Sequence, residues 1–415
     1  MKKNLILFVT LSIGFYGAAC AAVIHVPGDY DTIQQGINAG NPGDTVLVAP
    51  GIFYENLHMA EGINLFGSGP DKTVIDGGGI ADVISALSGA TNYVIDGFEV
   101  RNSHQGGGSP GNIGIFMNPS ASSGTKIVRN CYVHNNGHGI QIWNDFGGTA
   151  HIENNVIVDN IYNGFDPYLG TTHLTNNTIV GNGVDGYHDW AGGGVVYIEN
   201  NIFAENGRYG IFKHQTTPVF ISYNDVWNNV EGAYYQGYSG PPVPFVPNPG
   251  TGEISEDPQF VAPVIADYYL RWLSACIDAG RPDLFDPDGT RSDMGAIYFD
   301  QSVAGVIELY PHDTPIIIPS EGGSMSYAGG IFNFSSFALT GDLWIMAELP
   351  SGVHFGPVKL FHGLNVAAYG GRYIENVNED IPAGAPPGLY KYIAYVGLYG
   401  SGVLDSTYFT FEKAE

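Results

Sequence analysis

From Thr125 to Asn229 the chain runs in short bursts of alternating apolar and polar residues, each closed by asparagine, with no helix-like spacing. Five segments superimpose: Thr125–Gly148, Thr149–Thr171, Thr172–Gly194, Val195–Thr217 and the start of a fifth at Pro218. One Asn recurs at Asn130, Asn155, Asn177, Asn201 and Asn224, in steps of 25, 22, 24 and 23. A second follows each time, at Asn135, Asn160, Asn182, Asn206 and Asn229. Strand-like alternation at a period in the low twenties predicts a solenoid of stacked β-coils. Coils stacked ~4.8 Å apart let identical Asn side chains hydrogen-bond up the stack, so these Asn columns are structural. Val156/Val158, Thr178/Val180 and Ile202/Ala204 are expected to point inward.

The flanking pattern supplies the ends. Asp29–Ala39 has Ile33 and Ile37 four apart, with Asp31 placed to cap a short amphipathic helix that shields the open end of the core. GDTVLVAPGIFYEN and a strand near Ile63–Phe66 follow. Tyr93–Arg101 reads as an earlier coil, with Gly97 and Asn102 in the two Asn columns and Gly106–Gly111 as a loop. After Asn229 the proline-rich YYQGYSGPPVPFVPNPG reads as an extended excursion, because proline cannot donate to a ladder. Asp257–Ile297 looks like a closing cap. From Val306, alternating runs such as Leu343–Leu349, Tyr390–Val396 and Thr407–Phe411 between Gly/Pro turns suggest a separate β-sandwich. The division is therefore a signal over 1–21, a β-helix with caps over 22–300 and a sandwich over 306–415.

Composition narrows the function. With 41 acidic against 15 basic residues the formal charge is −26, which disfavours nucleic acid and anionic membranes as partners. Lys2 and Lys3, the apolar run Leu5–Phe15 and Ala19-Cys20-Ala21 read as an export signal, so a secreted or cell-surface location is expected. Lipid modification at Cys20 is the alternative. No other apolar run is long enough to span a bilayer. Cys131 and Cys276 then remain, in apolar contexts that suit buried thiols rather than a disulfide framework.

TIQQGINAGNPGDTVLVAPGIFYEN, the Asn-x-x-x-x-Asn coils and SACIDAGRPD…DPDGTRSDMGA together resemble the right-handed parallel β-helix superfamily, which includes pectate lyases and polygalacturonases. The resemblance spans roughly residues 23–300. It implies an all-β fold: a right-handed single-stranded parallel β-helix with an N-terminal capping helix, followed by the C-terminal β-sandwich. The matching elements are scaffold and caps, so they do not fix an activity.

Chemistry is sought in the columns that follow Gly139, Gly164, Gly186 and Gly210. The first position, Ile140, Phe165, Tyr187 and Ile211, faces the core. The second is Gln141, Asp166, His188 and Phe212; the third Ile142, Pro167, Asp189 and Lys213; the fourth Trp143, Tyr168, Trp190 and His214. Alternation turns the second and fourth outward together. Aromatic rings beside polar groups suit a sugar, whose C–H faces are apolar and whose hydroxyls seek amides and carboxylates. The bland alternative is an aromatic stack that only covers a sheet face. Asp166, His188, Asp189, Lys213 and His214 concentrate titratable groups on three adjacent coils and are the candidate catalytic set, with Gln141, Trp143, Tyr168 and Trp190 as substrate-binding residues. Hydrolysis would pair Asp166 with Asp189 or Asp185. Elimination from a uronate would use Lys213 as base, with Asp166 and Asp185 or Asp189 holding Ca²⁺. Strict alternation opposes both by sending Asp189 and Lys213 inward. Gly137-His138-Gly139 resembles a polygalacturonase element but lies upstream of the Asp candidates, and Arg208 is the only nearby arginine for a uronate. Asp286, Asp288 and Asp293 resemble a calcium loop without its terminal Glu; Asx-turns in a cap are the other reading. The expected function is an exported polysaccharide-binding protein, with lyase or glycosidase activity along this face. The alternative is a non-catalytic surface or adhesion spacer.

Overall fold

Three short strands per coil, each followed by a sharp turn, stack into three parallel sheets. The computed structural model describes residues 21–86, 92–106, 111–117, 124–143, 147–189, 192–238, 240–263, 266–302 and 305–415. The first sheet climbs from Val23–Val26 through Thr45–Val48, Asn64–Phe66, Tyr93–Asp96, Thr125–Arg129, Thr149–Glu153, Thr171–Thr175 and Val195–Glu199 to Val219–Ser222. The second carries Ile113–Met117, His138–Trp143, Phe165–Tyr168, Tyr187–His188, Tyr209–His214 and Gly232–Gly237 side by side. The third includes Glu99–Arg101, Tyr132–His134, Val156–Val158 and Thr178–Val180. Neighbours in each sheet are one coil apart in sequence, as the repeat requires. The chain divides into two compact units: Met1–Ile198 with Phe203–Ile221 and Asn228–Pro249, and Glu199–Ile202 with Ser222–Trp227 and Gly250–Glu415.

The Asn ladders form, but the sequence alignment is one residue out on its first full coil. Asn155 Nδ2 donates to Asn177 Oδ1 at 3.0 Å, and Asn160, Asn182, Asn206 and Asn229 are linked in the same way. Below them the ladder passes through Cys131 and Asn136, whose backbone N–H groups donate to Asn155 Oδ1 and Asn160 Oδ1. Asn130 and Asn135 instead hold the left-handed turn position before the ladder, at φ 53° each, aligned with Asn154 and Asp159. Asparagine is among the few residues that tolerate that conformation, so two kinds of Asn column run side by side. The regular steps are those of Cys131, Asn155, Asn177, Asn201 and Asn224.

A second correction concerns the third sheet. Val133 pairs with Ile157 and Ile157 with Ile179, and all three are fully buried, so the middle residue of each strand faces the core. Val156 and Val158 share columns with Tyr132 and His134, and through them with Glu99 and Arg101, which is the outer face. Ile157 and Ile179 meet the second sheet at its glycines. A Cβ at Gly139 would lie 2.4 Å from the Gly164 carbonyl oxygen and 2.5 Å from Ile157 Cγ2. That close approach fixes where the outward residues beside Gly139 and Gly164 emerge.

The capping helix spans Ile33–Ala39, and Thr32 rather than Asp31 is its N-cap, accepting from Gln35 N–H. Glu55 accepts from Ile33 and Gln34 N–H at 2.9 and 3.0 Å, satisfying two more open donors with a negative charge. The expected excursion after Asn229 begins later, since Gly232–Gly237 adds one more parallel strand before Val243–Pro244 turns back antiparallel. The expected Gly106–Gly111 loop falls partly outside the described residues, and the expected export signal over 1–21 lies outside them except for its last residue.

The second unit contains an antiparallel pair of Phe260–Ala262 with Asp267–Leu270, and two further sheets, antiparallel except where Ile317–Ile318 runs parallel to Gly402–Lys413. Val306–Pro311, Gly322–Asn333 and Gly370–Pro382 form one. Ile317–Ile318, Gly402–Lys413, Gly388–Leu398, Leu339–Glu348 and His354–Val366 form the other. Ile307, Tyr327, Ile345, Tyr392 and Phe411 share their core, which is the expected sandwich. The closing segment groups with it in this unit.

Candidate functional site

Register on the second sheet follows the expected columns. Gln141 pairs with Asp166 and Trp143 with Tyr168; Phe165 pairs with Tyr187, and His188 with Phe212. Gln141, Asp166, His188 and Phe212 therefore make one outward row. Trp143 and Tyr168 lie side by side, ring centroids 5.4 Å apart and tilted by 36°. Trp190 lies outside the described residues. His214 departs from the expectation: it is buried, with Nδ1 2.8 Å from Thr216 Oγ1 and its ring edge-on to Tyr238. Among the described residues, the aromatic row is the half-buried Trp143 beside the exposed Tyr168.

Two carboxylate–imidazole pairs occupy this face. His138 Nδ1 lies 2.7 Å from Asp166 Oδ2, reaching across from the preceding coil, while Asn163 Nδ2 donates to Asp166 Oδ1 at 2.7 Å. His188 Nδ1 lies 2.5 Å from Asp185 Oδ2. An ionised carboxylate only accepts, so each Nδ1 carries a proton and each ring is oriented by its carboxylate. Arg208, on the next coil, donates through Nε and its terminal nitrogen to the same Asp185, and Tyr209 N–H adds a bond at 3.0 Å. Burial alone would raise the Asp185 carboxyl; hydrogen bonds from Arg208 and His188 outweigh it and hold the group below its ordinary value. The Arg208 guanidinium is raised in return, chiefly by its bond to Asp185. His188 stacks on Phe212 at 4.9 Å, and Arg208 sits over the Tyr209 and Phe212 rings. Tyr162 stacks on His138 at 5.0 Å.

Exposure separates the roles. The Asp185 side chain has no solvent-accessible surface, so it orients His188 and cannot meet a substrate. The His188, Asp166 and His138 side chains keep 12%, 9% and 19%. Asp189 is buried and accepts from Gly192 N–H. Lys213 Nζ lies among the carbonyls of His214, Gln215 and Thr217 and over the Phe245 ring, and burial lowers its ammonium. Asp189 is thus buried as strict alternation expects, whereas Lys213 is half-buried.

The calcium-loop residues serve the backbone. Asp286 accepts from Asp293 N–H, Asp288 from Thr290 and Gln301 N–H, and Asp293 from Asp278 and Phe299 N–H. Burial pushes Asp286 up to about 6 and Asp293 to about 7. Among the described residues, no three His, Cys, Asp or Glu side chains gather as a metal-ligand set, whether here or around Asp166, Asp185 and Asp189.

Tyr162, Asn163 and Tyr209 belong to the site without having been singled out from sequence. The signal was present: the column just before the glycines reads His138, Asn163, Asp185, Tyr209, polar on every coil. Columns counted from the glycine onward pass it by.

Residues 86–243 match the family described as right handed beta helix region. Fold and match together define a right-handed parallel β-helix protein. No curated protein matches the chain. Among solved structures, it is similar to pectate lyase Pel9A, at 15% identity over 68% of this chain and 97% of that chain, with a TM-score of 0.42. It is similar to the pectin methylesterase of Aspergillus niger at 13% identity over 58% and 84%, TM-score 0.39. A β-glucosidase from Listeria innocua, solved with glucose, aligns at 18% identity over 26% of this chain, TM-score 0.19; the chain spans 16% of its length.

Proposed function

We propose that this protein binds a polysaccharide along the outer face of its second sheet and cleaves it by general acid–base chemistry, with His188 as the base. The observation that carries the reading is the Asp185–His188 pair, clamped by Arg208 and adjoining Asp166 in the Gln141–Asp166–His188 row. A carboxylate that accepts from one imidazole nitrogen fixes the orientation of the ring, and imidazole is the side chain best suited to exchanging protons near neutral pH. Asp166, held by His138 and Asn163, stands beside it to accept from a sugar hydroxyl. Trp143 and Tyr168 extend the row with rings that suit the apolar faces of a sugar.

His188 replaces Lys213 in the role of base because the lysine ammonium is surrounded by carbonyl groups. Ca²⁺ enters as a variable of the assay rather than as a step of the mechanism. The full chain is incubated with neutral and acidic glycans, with and without Ca²⁺, and followed by new reducing ends and by ultraviolet absorbance. Absorbance marks elimination; reducing ends without it mark hydrolysis. His188→Ala and Asp166→Asn should each lose about a hundredfold or more in turnover, and Lys213→Ala should retain it. Full turnover in the first two would refute the assignment. Neither binding nor cleavage on any glycan would favour the non-catalytic spacer.

A further inference from the structure

The sandwich of the second unit holds a cavity that glycan cleavage does not use. It has a volume of about 390 Å³ and opens where the strand ending at Pro382 parts from the facing sheet. Its walls are Phe355, Ile381, Pro386, Tyr390 and Phe411, with Glu379 at one side. Tyr390 and Phe411 stack on each other, centroids 4.7 Å apart and planes within 9°, and both are almost fully buried, so they form the rigid inner side of the cavity. Phe355 is 63% exposed.

Two polar features limit what fits. The Tyr390 hydroxyl is taken up by the Pro386 carbonyl, so that wall stays apolar towards a ligand. Glu379 Oε2 accepts from the Tyr392 hydroxyl at 2.9 Å and pairs with Lys359 Nζ at 2.5 Å. The Lys359 ammonium beside the pocket is therefore already matched. The carboxylates of Glu379 and Asp380 repel an anionic ligand, and the overall charge of −26 adds to that. Volume, apolar aromatic walls and a few convergent polar groups are the attributes of a small-molecule site.

We infer that this pocket binds a neutral aromatic molecule of one or two rings, its apolar body among Phe355, Ile381, Pro386, Tyr390 and Phe411 and a hydroxyl or amine N–H directed to Glu379. Such a molecule gains chiefly from leaving water. A neutral donor uses the carboxylate without needing a counter-charge.

The test uses the full chain and the neutral dye N-phenylnaphthylamine, followed by fluorescence. Saturable enhancement with a Kd of roughly ten micromolar is expected for a ligand of this size. Anilinonaphthalene sulfonate, the same ring system with a negative charge, should bind at least about tenfold more weakly, because like charge at the mouth opposes it. Ala385→Trp should abolish the signal by filling the cavity. Gly384→Trp gives a second blocking variant: a Cβ there meets nothing within 4 Å, so the fold accommodates it. No saturable signal, equal affinity for the sulfonated dye, or an unchanged signal in both folded variants would each overturn the assignment. Glycan turnover, measured alongside, should be unaffected by either substitution.

Discussion

Arg208 allows Asp185 to stay ionised with no solvent around it. An isolated buried carboxylate would neutralise, and the two guanidinium bonds prevent that. Arg208→Met should therefore cost on the order of 3 kcal/mol in urea unfolding, because it strands a buried charge. The sign with pH follows from a depressed carboxyl. The stabilisation is present above the ordinary Asp value and fades as pH falls through the lower folded one, and the variant should lose that part of the acid dependence. Lys126 makes the opposite case. It is fully buried, and burial pushes its ammonium down to about 8 from 10.5. Between those pH values the unfolded chain binds more protons than the folded one, so stability should rise with pH across that window. Lys126→Met should flatten the rise, as read from unfolding midpoints at pH 7 to 11.

At the scale of the coil, the ladders dominate. Asn182 has no exposed surface; its amide donates to Ile157 and Val180 carbonyls and to Asn206, and its oxygen accepts from Asn160. Asn182→Ala should destabilise by about 3 kcal/mol, since several buried partners lose their bonds at once. Cys131 occupies the same ladder position one coil below Asn155, its buried thiol pushed up to about 12. Cys131→Asn would carry the ladder one coil further and should raise the unfolding midpoint by about 1 kcal/mol of stability. Repeat, sheets, capping helix and sandwich were legible because each leaves a period or a composition change in the chain. The phase was harder. Val156–Val158 is apolar at all three positions and gives no alternation to read; only pairing with Glu99–Arg101 and Tyr132–His134 shows which residue points inward. Asn130 and Asn135 misled because a left-handed turn and a ladder select the same residue type at adjacent positions. The site was half legible. Asp166 and His188 stand in the row expected of them, but the partners of their carboxylates and rings come from neighbouring coils, and contacts across coils have no signature in spacing. Parallel aromatic stacking is not by itself a sign of chemistry. His151, His173, Tyr197 and Phe220 stack on the first sheet at 4.9, 4.8 and 5.2 Å, where His151 Nδ1 lies 3.4 Å from Glu153, farther than the carboxylates of the second sheet lie from their imidazoles.

For the molecule as a whole, the acidic excess acts over longer distances than any pair. Self-repulsion of a chain at −26 should be relieved by salt, so the thermal midpoint should climb between 10 and 200 mM NaCl, and a DNA gel shift should show no retardation. One feature reaches further. His138, Asp166, Asp185 and Arg208 sit on four successive coils, yet each coil is held by the same turns and the same amide bonds. Copying or deleting one such module would keep the stacking rule of the coils but pull these four side chains out of register, so a coil inserted between Asn136 and Arg208 should abolish the proposed glycan turnover while the protein still folds.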